Sequence, residues 1–543
     1  ANSGPQSFNV TAHGKTPQVS FHGKVEELRQ GTKENKPQSP TESMAAQRDE
    51  RSTRLQQRAL GLLVTEIHQL EGLLRITEDN SKDRVTLLRR LAENYVELEN
   101  AAFREKTEAE IDRDNVRRTD PNAAGQKETL VRQRTETLRL ARGSAIKYYT
   151  ILAKEYGGDP SARFPSPPTT YPQLDEVLYY LAYEYEQAGD FENARKYYFE
   201  LVQKAPKSKF VANAYLAFGE LFFTQAQSNP AMWEGARKAY EKVLESPPPD
   251  NKVYGYALYK LGYVYWNTND LPKALECFRK TIEFGMQWSS LPNSTKRAES
   301  ARKDIIPVYA LGGSPEKAFD DFRKISGDQG GATAKTYQMM LDLGVNYIDT
   351  GHYGDAITLF RDLLRRDAGG ERTCAYQSRI SEATMAMKSG KKPEIVAELD
   401  NQMRRYNAFK AERHSAEALQ ECANRTAALL TETAMAWHLE AIGGGAGQRG
   451  TSNTSTIGLA ADLYGKVAKT FTTAEFEKFT FPRLVREDWP TMYRIKYNMA
   501  DLLYAQERWK ECGPAFDSVV VENPSAPEAP EAAWAAVLCY QKM

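Results

Sequence analysis

The sequence predicts an all-α fold of consecutive antiparallel helical hairpins behind a disordered N-terminal arm. Three observations lead to this prediction. From Ala45 the pattern turns helical, and apolar residues such as Leu60 and Leu63 recur at three- and four-residue steps, which is the spacing of one face of an α-helix. One pattern of aromatic and small residues then repeats along the chain. Residues 1–42, by contrast, contain too few apolar side chains to offset the entropy of ordering.

The predicted arm, residues 1–42, is polar and rich in Gly, Pro, Ser and Thr. Within it Phe8, Val10, Val19 and Phe21 alternate with polar residues as in a strand, so the alternative is an arm that adds to the edge of a partner's sheet. Ala1 is neither Met nor Cys. We therefore expect either a removed export signal or a shortened chain, without a lipoprotein anchor.

Residues 43–163 are predicted to form long helices and an elaborated first hairpin. Leu63, Ile67 and Leu70 are part of the apolar face of the first helix. A second helix contains Tyr95 and a third contains Tyr149, and a charged insertion at about residues 105–142 separates these two positions. The insertion carries many charges of both signs, which predicts a solvent-exposed helix pair, with a docking arm as the alternative.

The central region, residues 164–367, repeats one spacing of aromatic and small residues. A small residue follows an aromatic one by nine positions at Tyr185/Ala194, Tyr265/Ala274, Tyr309/Ala318 and Tyr347/Ala356. A small residue lets two antiparallel helices approach closely, and an aromatic residue four positions later fills the space beside it. Because one hairpin cannot bury its apolar face alone, successive hairpins are expected to stack into a superhelix with a concave groove.

This pattern resembles the tetratricopeptide repeat (TPR), which has Leu-Gly and Tyr in the first helix, Ala and an aromatic residue in the second, and then Pro. The resemblance implies a TPR-type α-solenoid that acts as a non-enzymatic scaffold for protein–protein interaction. A block comprising VTEIHQLEGLL (residues 64–74) and DRVTLLRRLAENYVELENAAFREK (residues 83–106) is similar to periplasmic TPR proteins of the envelope machinery that powers bacterial gliding motility. That similarity implies a cell-envelope complex, and the alternative is a cytosolic TPR adaptor or cochaperone.

The remaining domain boundaries follow from the same pattern. Divergent helical repeats are expected at residues 368–443, a Gly-rich linker at 444–456, and C-terminal TPR-like repeats at 457–543. The segment at the C-terminus resembles a first helix without a second, which predicts either truncation at Met543 or a partner that covers the apolar end.

Composition and motifs favour a binding protein that is not an enzyme. The chain contains 72 Lys plus Arg and 72 Asp plus Glu, and this zero net charge argues against a nucleic-acid partner. No apolar run reaches the roughly 20 residues of a membrane span. The glycine-rich segment at residues 443–455 lacks the lysine of a phosphate-binding loop, and the six histidines show no zinc-ligand spacing. The sequence therefore predicts no catalytic residues, no metal and no cofactor.

The candidate binding surface is the face of the first helices that points away from the predicted packing residues. Aromatic residues on such a face suit an extended or helical peptide in the groove. The alternative is that they pack against an adjacent hairpin or the N-terminal helices. Tyrosine at two of these positions disfavours the carboxylate clamp of chaperone-binding repeats. The predicted partner-binding residues are Tyr179, Tyr183, Glu186, Phe223, Tyr259, Tyr263 and Trp266.

The five cysteines bear on the compartment. Cys374 with Cys422, or Cys512 with Cys539, could form a disulfide if the chain occupies an oxidising compartment. With the envelope resemblance, this favours a periplasmic protein, and cytoplasmic location remains the alternative. Cys512 occupies a small-residue position of a repeat, so a packing role is also expected there.

Overall fold

The computed structural model describes residues 60–79, 81–117, 120–157, 172–388, 391–443 and 450–543. The predicted arm, residues 1–42, and residues 444–449 of the predicted linker, 444–456, lie outside these ranges. The chain divides into two compact units between Ile305 and Ile306. Both units are helical, and no strand occurs in the described ranges, so the predicted all-α fold is confirmed.

In the unit that ends at Ile305, consecutive helices pack against one another as antiparallel pairs. The division between the units falls within the last helix of this series. The helices are α1 (Leu60–Ile76), α2 (Lys82–Val116), α3 (Pro121–Glu155), α4 (Leu174–Gln187), α5 (Phe191–Lys204), α6 (Val211–Ala226), α7 (Met232–Leu244), α8 (Tyr254–Asn267), α9 (Leu271–Gln287) and α10 (Ser294–Gly312).

The unit of residues 306–543 continues the series of helical pairs and includes one short 3-10 helix, Arg486–Asp488. Its α-helices after α10 are α11 (Ala318–Ile325), α12 (Ala334–Asp349), α13 (Tyr353–Arg366), α14 (Thr373–Met387), α15 (Lys392–Ala411), α16 (Ala416–Ile442), α17 (Thr454–Thr470), α18 (Thr473–Phe476), α19 (Met492–Ala505), α20 (Trp509–Glu522) and α21 (Ala529–Lys542).

In the turn between the two helices of a hairpin, one residue adopts the left-handed backbone conformation, and the second helix begins shortly after it. Gly189 has φ 77° and Gly351 has φ 82°, and Asn269 adopts the same region with φ 60°. Glycine is favoured there because it has no Cβ to clash with the following carbonyl. Asp190 and Asp270 then cap α5 and α9, since each carboxylate accepts a hydrogen bond from a backbone N–H of the first turn.

Close approach of the two helices depends on glycine in the first helix. A Cβ on Gly219 would lie 2.5 Å from the Tyr240 ring, and one on Gly344 would lie 2.4 Å from the Phe360 ring. At Gly262 the corresponding distance, to Phe278, is 3.1 Å. The aromatic residue four positions after the small residue of the second helix thus occupies the space that a side chain on the first-helix glycine would need.

The charged insertion forms the outer part of the α2/α3 hairpin, as predicted. Arg134 pairs with Glu105 across the two helices at 2.7 Å, and Arg113 pairs with Glu128 at 2.8 Å. Small buried residues, including Ala109, lie between the helices. The described charged side chains of the insertion are exposed or half-buried.

Two disulfides lie in the unit of residues 306–543. Cys374 of α14 is bonded to Cys422 of α16, and Cys512 of α20 is bonded to Cys539 of α21. These are the two pairs that the sequence analysis named as possible disulfides. Cys277 is free and buried. None of the helices in the described ranges is long and apolar enough to cross a bilayer.

Candidate partner-binding residues

The residues predicted on α4 lie within its hairpin and against the start of the next one. The ring of Tyr179 stacks on Phe210 at a centroid distance of 4.7 Å, and it also contacts Tyr198 of α5 at 5.9 Å. Glu186 accepts a hydrogen bond from the Tyr198 hydroxyl at 2.8 Å. Tyr183 is 7% exposed. This part of α4 therefore connects the two helices of one hairpin to the next.

Phe223, the predicted residue on α6, is part of a buried polar and aromatic cluster. Its ring meets Trp233 of α7 edge-on at 5.0 Å, and the Lys260 ammonium of α8 lies 3.7 Å from its centroid. Lys260 is also 3.3 Å from Glu220, which accepts a hydrogen bond from Tyr240 at 2.6 Å. A cation over an aromatic face and a paired carboxylate together offset part of the cost of burying this charge.

The three residues predicted on α8 surround one ring of α9. Tyr259, Tyr263 and Trp266 all contact Phe278, with centroid distances of 5.9, 5.4 and 6.4 Å. The Tyr259 hydroxyl donates a hydrogen bond to Asp304 of α10. Tyr263 also hydrogen-bonds Asp304. The hydroxyls thus join α8 to the first helix of the following hairpin.

Burial shifts the ionisation of both charged groups in these clusters. It raises the pKa of the Asp304 carboxyl, and the two tyrosine hydrogen bonds oppose that shift. Burial lowers the pKa of the Lys260 ammonium, while the charge of Glu220 opposes it. Each group therefore depends on its neighbours to remain charged.

The predicted residues do not form a free face of the first helices. Six of the seven side chains, those of Tyr179, Tyr183, Phe223, Tyr259, Tyr263 and Trp266, are at most 7% exposed, and Glu186 is half-buried. Their rings pack between the helices of a hairpin and against neighbouring helices, which was the alternative reading of the sequence. Their role in binding a partner remains a prediction.

One polar atom in this region lacks an internal partner. The indole N–H of Trp266 is buried and makes no hydrogen bond. An unsatisfied buried donor typically costs about 1–3 kcal/mol.

The sequence reasoning missed Glu220, Lys260 and Asp304. Lys260 had a usable signal, because it is the one charged residue of α8, whose other residues are apolar, aromatic, glycine or asparagine. A single charge in such a helix predicts a buried pair. Among the described residues there is no group of three or more His, Cys, Asp or Glu side chains that could hold a metal ion.

Comparison with known protein families identifies the repeats in this region. Two segments, residues 176–208 and 255–284, match models described as "Tetratricopeptide repeat". The chain contains tetratricopeptide repeats. The first matched segment covers the α4/α5 hairpin, and the second covers α8 and most of α9, so the TPR matches coincide with the hairpins that carry six of the predicted residues. TPR proteins generally mediate protein–protein interactions, and the fold is typically not catalytic.

Solved structures provide more distant likenesses. The TPR domain of P58(IPK) is 14% identical over 74% of this chain and 94% of its own, with a TM-score of 0.15. A circular tandem repeat protein with a novel repeat topology is 13% identical over 89% of this chain and 97% of its own, with a TM-score of 0.19. At these TM-scores the superpositions do not define a common arrangement of helices. A search of curated proteins finds no match.

Proposed function

We propose that this chain is a non-enzymatic scaffold that holds together proteins of a bacterial cell-envelope complex. The observation that carries the proposal is the succession of helical hairpins, two of which are TPR segments. Each hairpin offers a small contact patch on a rigid support. Because several patches act on one partner or one assembly, modest individual contacts combine into useful affinity.

The two disulfides support a location outside the cytosol, in the periplasm. Disulfides persist in oxidising compartments and are rare in the cytosol, where thiols are kept reduced. A cytosolic adaptor or cochaperone would be expected to carry five free thiols. Acid quenching of intact cells, followed by unfolding and alkylation of the protein with and without prior reduction, counts the free thiols. Four protected thiols support the periplasm, and five reactive thiols in the unfolded protein contradict it.

Gliding machinery is the setting that we propose within the envelope, on the similarity of residues 64–106 to TPR proteins of that machinery. Crosslinked co-purification from native cells tests this, with soluble, periplasmic and membrane fractions analysed separately. Envelope motor or outer-membrane proteins in the periplasmic fraction are the expected result. Chaperones in the cytosolic fraction would instead support the cochaperone alternative.

We propose that the partner contacts the group formed by Tyr259, Tyr263 and Trp266 around Phe278, which we call the α8 cluster. The Trp266 indole N–H in this cluster has no acceptor. Replacing Tyr263 with Ala is a poor test, because Tyr263 is 3% exposed and its loss would destabilise the hairpin by about 3–5 kcal/mol. Trp266→Phe removes the donor and keeps an aromatic ring. Trp437→Phe is the matched control, since Trp437 is also buried but lies on α16, in the other unit of the chain.

In the capture experiment we expect Trp266→Phe to reduce the yield of crosslinked partner and Trp437→Phe to leave it unchanged. Amide hydrogen exchange of α8 and α9 should be the same in both variants and in the wild type, which excludes local unfolding. If both variants capture the partner equally well, the contact does not involve the α8 cluster.

A further inference from the structure

Helix α1 exposes an apolar face to solvent. It carries more exposed large apolar side chains than any other helix in the described ranges. They are Leu62, Val64, Leu73 and Ile76, with exposed fractions of 66%, 38%, 49% and 81%. Such a concentration of apolar surface on one helix is costly in water, and it marks an interaction site.

The acidic side chains of α1 point away from this face, and both are half-buried. Glu66 pairs with Arg90 of α2 at 2.9 Å. Glu71 accepts hydrogen bonds from the hydroxyls of Tyr95 of α2 and Tyr148 of α3, at 2.9 and 2.8 Å. The exposed residues of α1 therefore include no carboxylate, and depletion of charge is characteristic of the centre of a protein–protein interface.

Two glycines leave a shallow groove along the same face. A Cβ on Gly61 or on Gly72 would have nothing within 4 Å. Thr65 lies between them at helical spacing, so the three small residues share one side of α1. Leu62 and Ile76 stand beside this groove as a ridge. A ridge next to a groove is the surface that another helix packs against.

The ridge and the groove of α1 are complementary to each other. Leu62, Thr65, Gln69, Gly72 and Ile76 recur at alternating steps of three and four, which is the spacing of a helix–helix seam. When a second α1 runs antiparallel, one register brings Leu62 level with Gly72 of the second copy, and Thr65 level with Gln69. Each layer then combines a larger side chain with a smaller one, and twofold symmetry repeats both pairings.

The polar and charged groups of the face agree with this register. The Thr65 hydroxyl donates a hydrogen bond to the Gly61 carbonyl of its own helix at 2.9 Å. Its oxygen can still accept one from the Gln69 amide of the second copy. Arg75, the one exposed charged residue of α1, lies in the last turn. Antiparallel pairing places the two copies of Arg75 at opposite ends, whereas parallel pairing would set like charges side by side, which is unfavourable.

We infer that the exposed face of α1 binds the same face of a second copy of this chain, with the two α1 helices antiparallel. The occupant is a second copy because α1 itself supplies the side chain that lies over the Gly72 groove and the polar partner of Gln69. A seam of 17 residues is about 25 Å long. This is a small interface, so the association is reversible, with a dissociation constant of about 1–100 µM.

The inference goes beyond the proposed scaffold function and does not rest on it. Association is measured on the purified chain, without any partner. Two associated chains present every hairpin patch twice, which raises avidity for a repetitive assembly. A chain that fails to dimerise leaves capture through Trp266 to stand or fall by its own experiment.

Sedimentation velocity of the purified full chain, at about 1–200 µM, measures the association. We expect the wild type to change from monomer to dimer within this range. Leu62→Glu places two carboxylates in the seam and should weaken association at least tenfold. Leu140→Glu is the matched control, since Leu140 of α3 is also exposed but lies outside α1, and it should leave association unchanged. Both side chains are exposed, so neither variant should disturb folding.

Disulfide trapping tests the direction of the two helices, in a Cys277→Ala background that removes the free thiol. A mixture of Thr65→Cys chains and Gln69→Cys chains should form a covalent dimer at least tenfold faster than either variant alone. The reason is that these two positions are level with each other only across the antiparallel pair, and a disulfide forms only between close Cβ atoms.

Three results would overturn the inference. The first is a wild-type chain that stays monomeric throughout, because the residues before α1 or a different protein would then cover this face. The second is equal association of Leu62→Glu and Leu140→Glu. The third is a Gln69→Cys chain that crosslinks with itself as fast as with Thr65→Cys, because the helices would then not be antiparallel in this register.

Discussion

The Gly219→Ala variant tests the packing rule on which the repeats depend. Gly219 lies on α6, and an added Cβ would come within 2.5, 2.8 and 2.9 Å of three atoms of the Tyr240 ring. Contacts shorter than 3.0 Å require something to move. Tyr240 is fully buried, and its hydroxyl donates a hydrogen bond to Glu220 at 2.6 Å, so the ring cannot swing away without losing that bond. Overpacking of this kind typically costs about 1–3 kcal/mol.

A matched glycine separates this clash from the general effect of alanine on helices. Gly143 lies inside α3, and a Cβ there would have nothing within 4 Å. Alanine is favoured over glycine in a helix interior by about 1 kcal/mol, so Gly143→Ala should stabilise its helix. The same gain applies to Gly219→Ala. The difference between the two variants therefore isolates the clash, at about 1–3 kcal/mol.

Amide hydrogen exchange measured by mass spectrometry is the appropriate assay, because a chain with two compact units does not unfold as one state. For each variant, the change in amide protection factor is measured against the wild type: in α3 for Gly143→Ala, and in α6 and α7 for Gly219→Ala. The change for Gly219→Ala should be roughly 5- to 150-fold less favourable than the change for Gly143→Ala. Combining Gly219→Ala with Tyr240→Leu should recover part of the loss. If Gly219→Ala and Gly143→Ala change protection equally, the ring of the second helix does not occupy the space at Gly219 and the packing rule fails.

Three further predictions concern both units. Gly262→Leu should lower the melting temperature, since a Cβ there already lies 3.1 Å from Phe278, and an unchanged melt would contradict the assigned register of the repeat. The imidazole of His438 should titrate near 4 by proton NMR, because burial lowers its pKa to about 4; a value near 6.5 would contradict this. As its folded pKa is below its unfolded one, stability should fall by about 3 kcal/mol as pH drops from 6.5 to 4, and His438→Asn should remove this dependence. Cys512→Ser should lower the free energy of exchange of α20 and α21 by about 2–4 kcal/mol, because it removes the disulfide to Cys539. Cys277→Ala, which removes a free thiol, should leave these helices unchanged. Equal protection of α20 and α21 in the two variants would mean that the disulfide does not stabilise them.

Sequence spacing predicted the hairpins well because the spacing itself is the cause of the packing. The nine-residue step from Tyr185 to Ala194 spans one turn between two helices, and Gly189 adopts the left-handed conformation that this turn requires. The sequence also predicted the charged helix pair and named the two possible disulfides. Pairing could not be decided from sequence, since it depends on how closely α14 approaches α16 and α20 approaches α21.

Other features could not be predicted because they depend on contacts between residues far apart in the chain. Residues 471–491, between α17 and α19, add aromatic side chains to the core of their unit: Phe476 contacts Phe479 and Phe481, and Phe471 contacts Tyr406 of α15. The backbone N–H of Thr480 holds this segment to α16 by donating a hydrogen bond to the side-chain oxygen of Asn424 at 2.6 Å. The segment fits no repeat, so a search for periodicity passes over it.

The aromatic stripe of the first helices shows why periodicity alone misplaces a binding face. A helix in the middle of a stack has two packed faces, one against its own second helix and one against the next hairpin. When residues are projected around a helix and only one face is assigned to packing, the second packed face is mistaken for an exposed one. Tyr259 demonstrates both contacts, since its ring meets Phe278 of the same hairpin and its hydroxyl bonds Asp304 of the next. In such a stack, aromatic content on a first helix therefore does not by itself identify a free face.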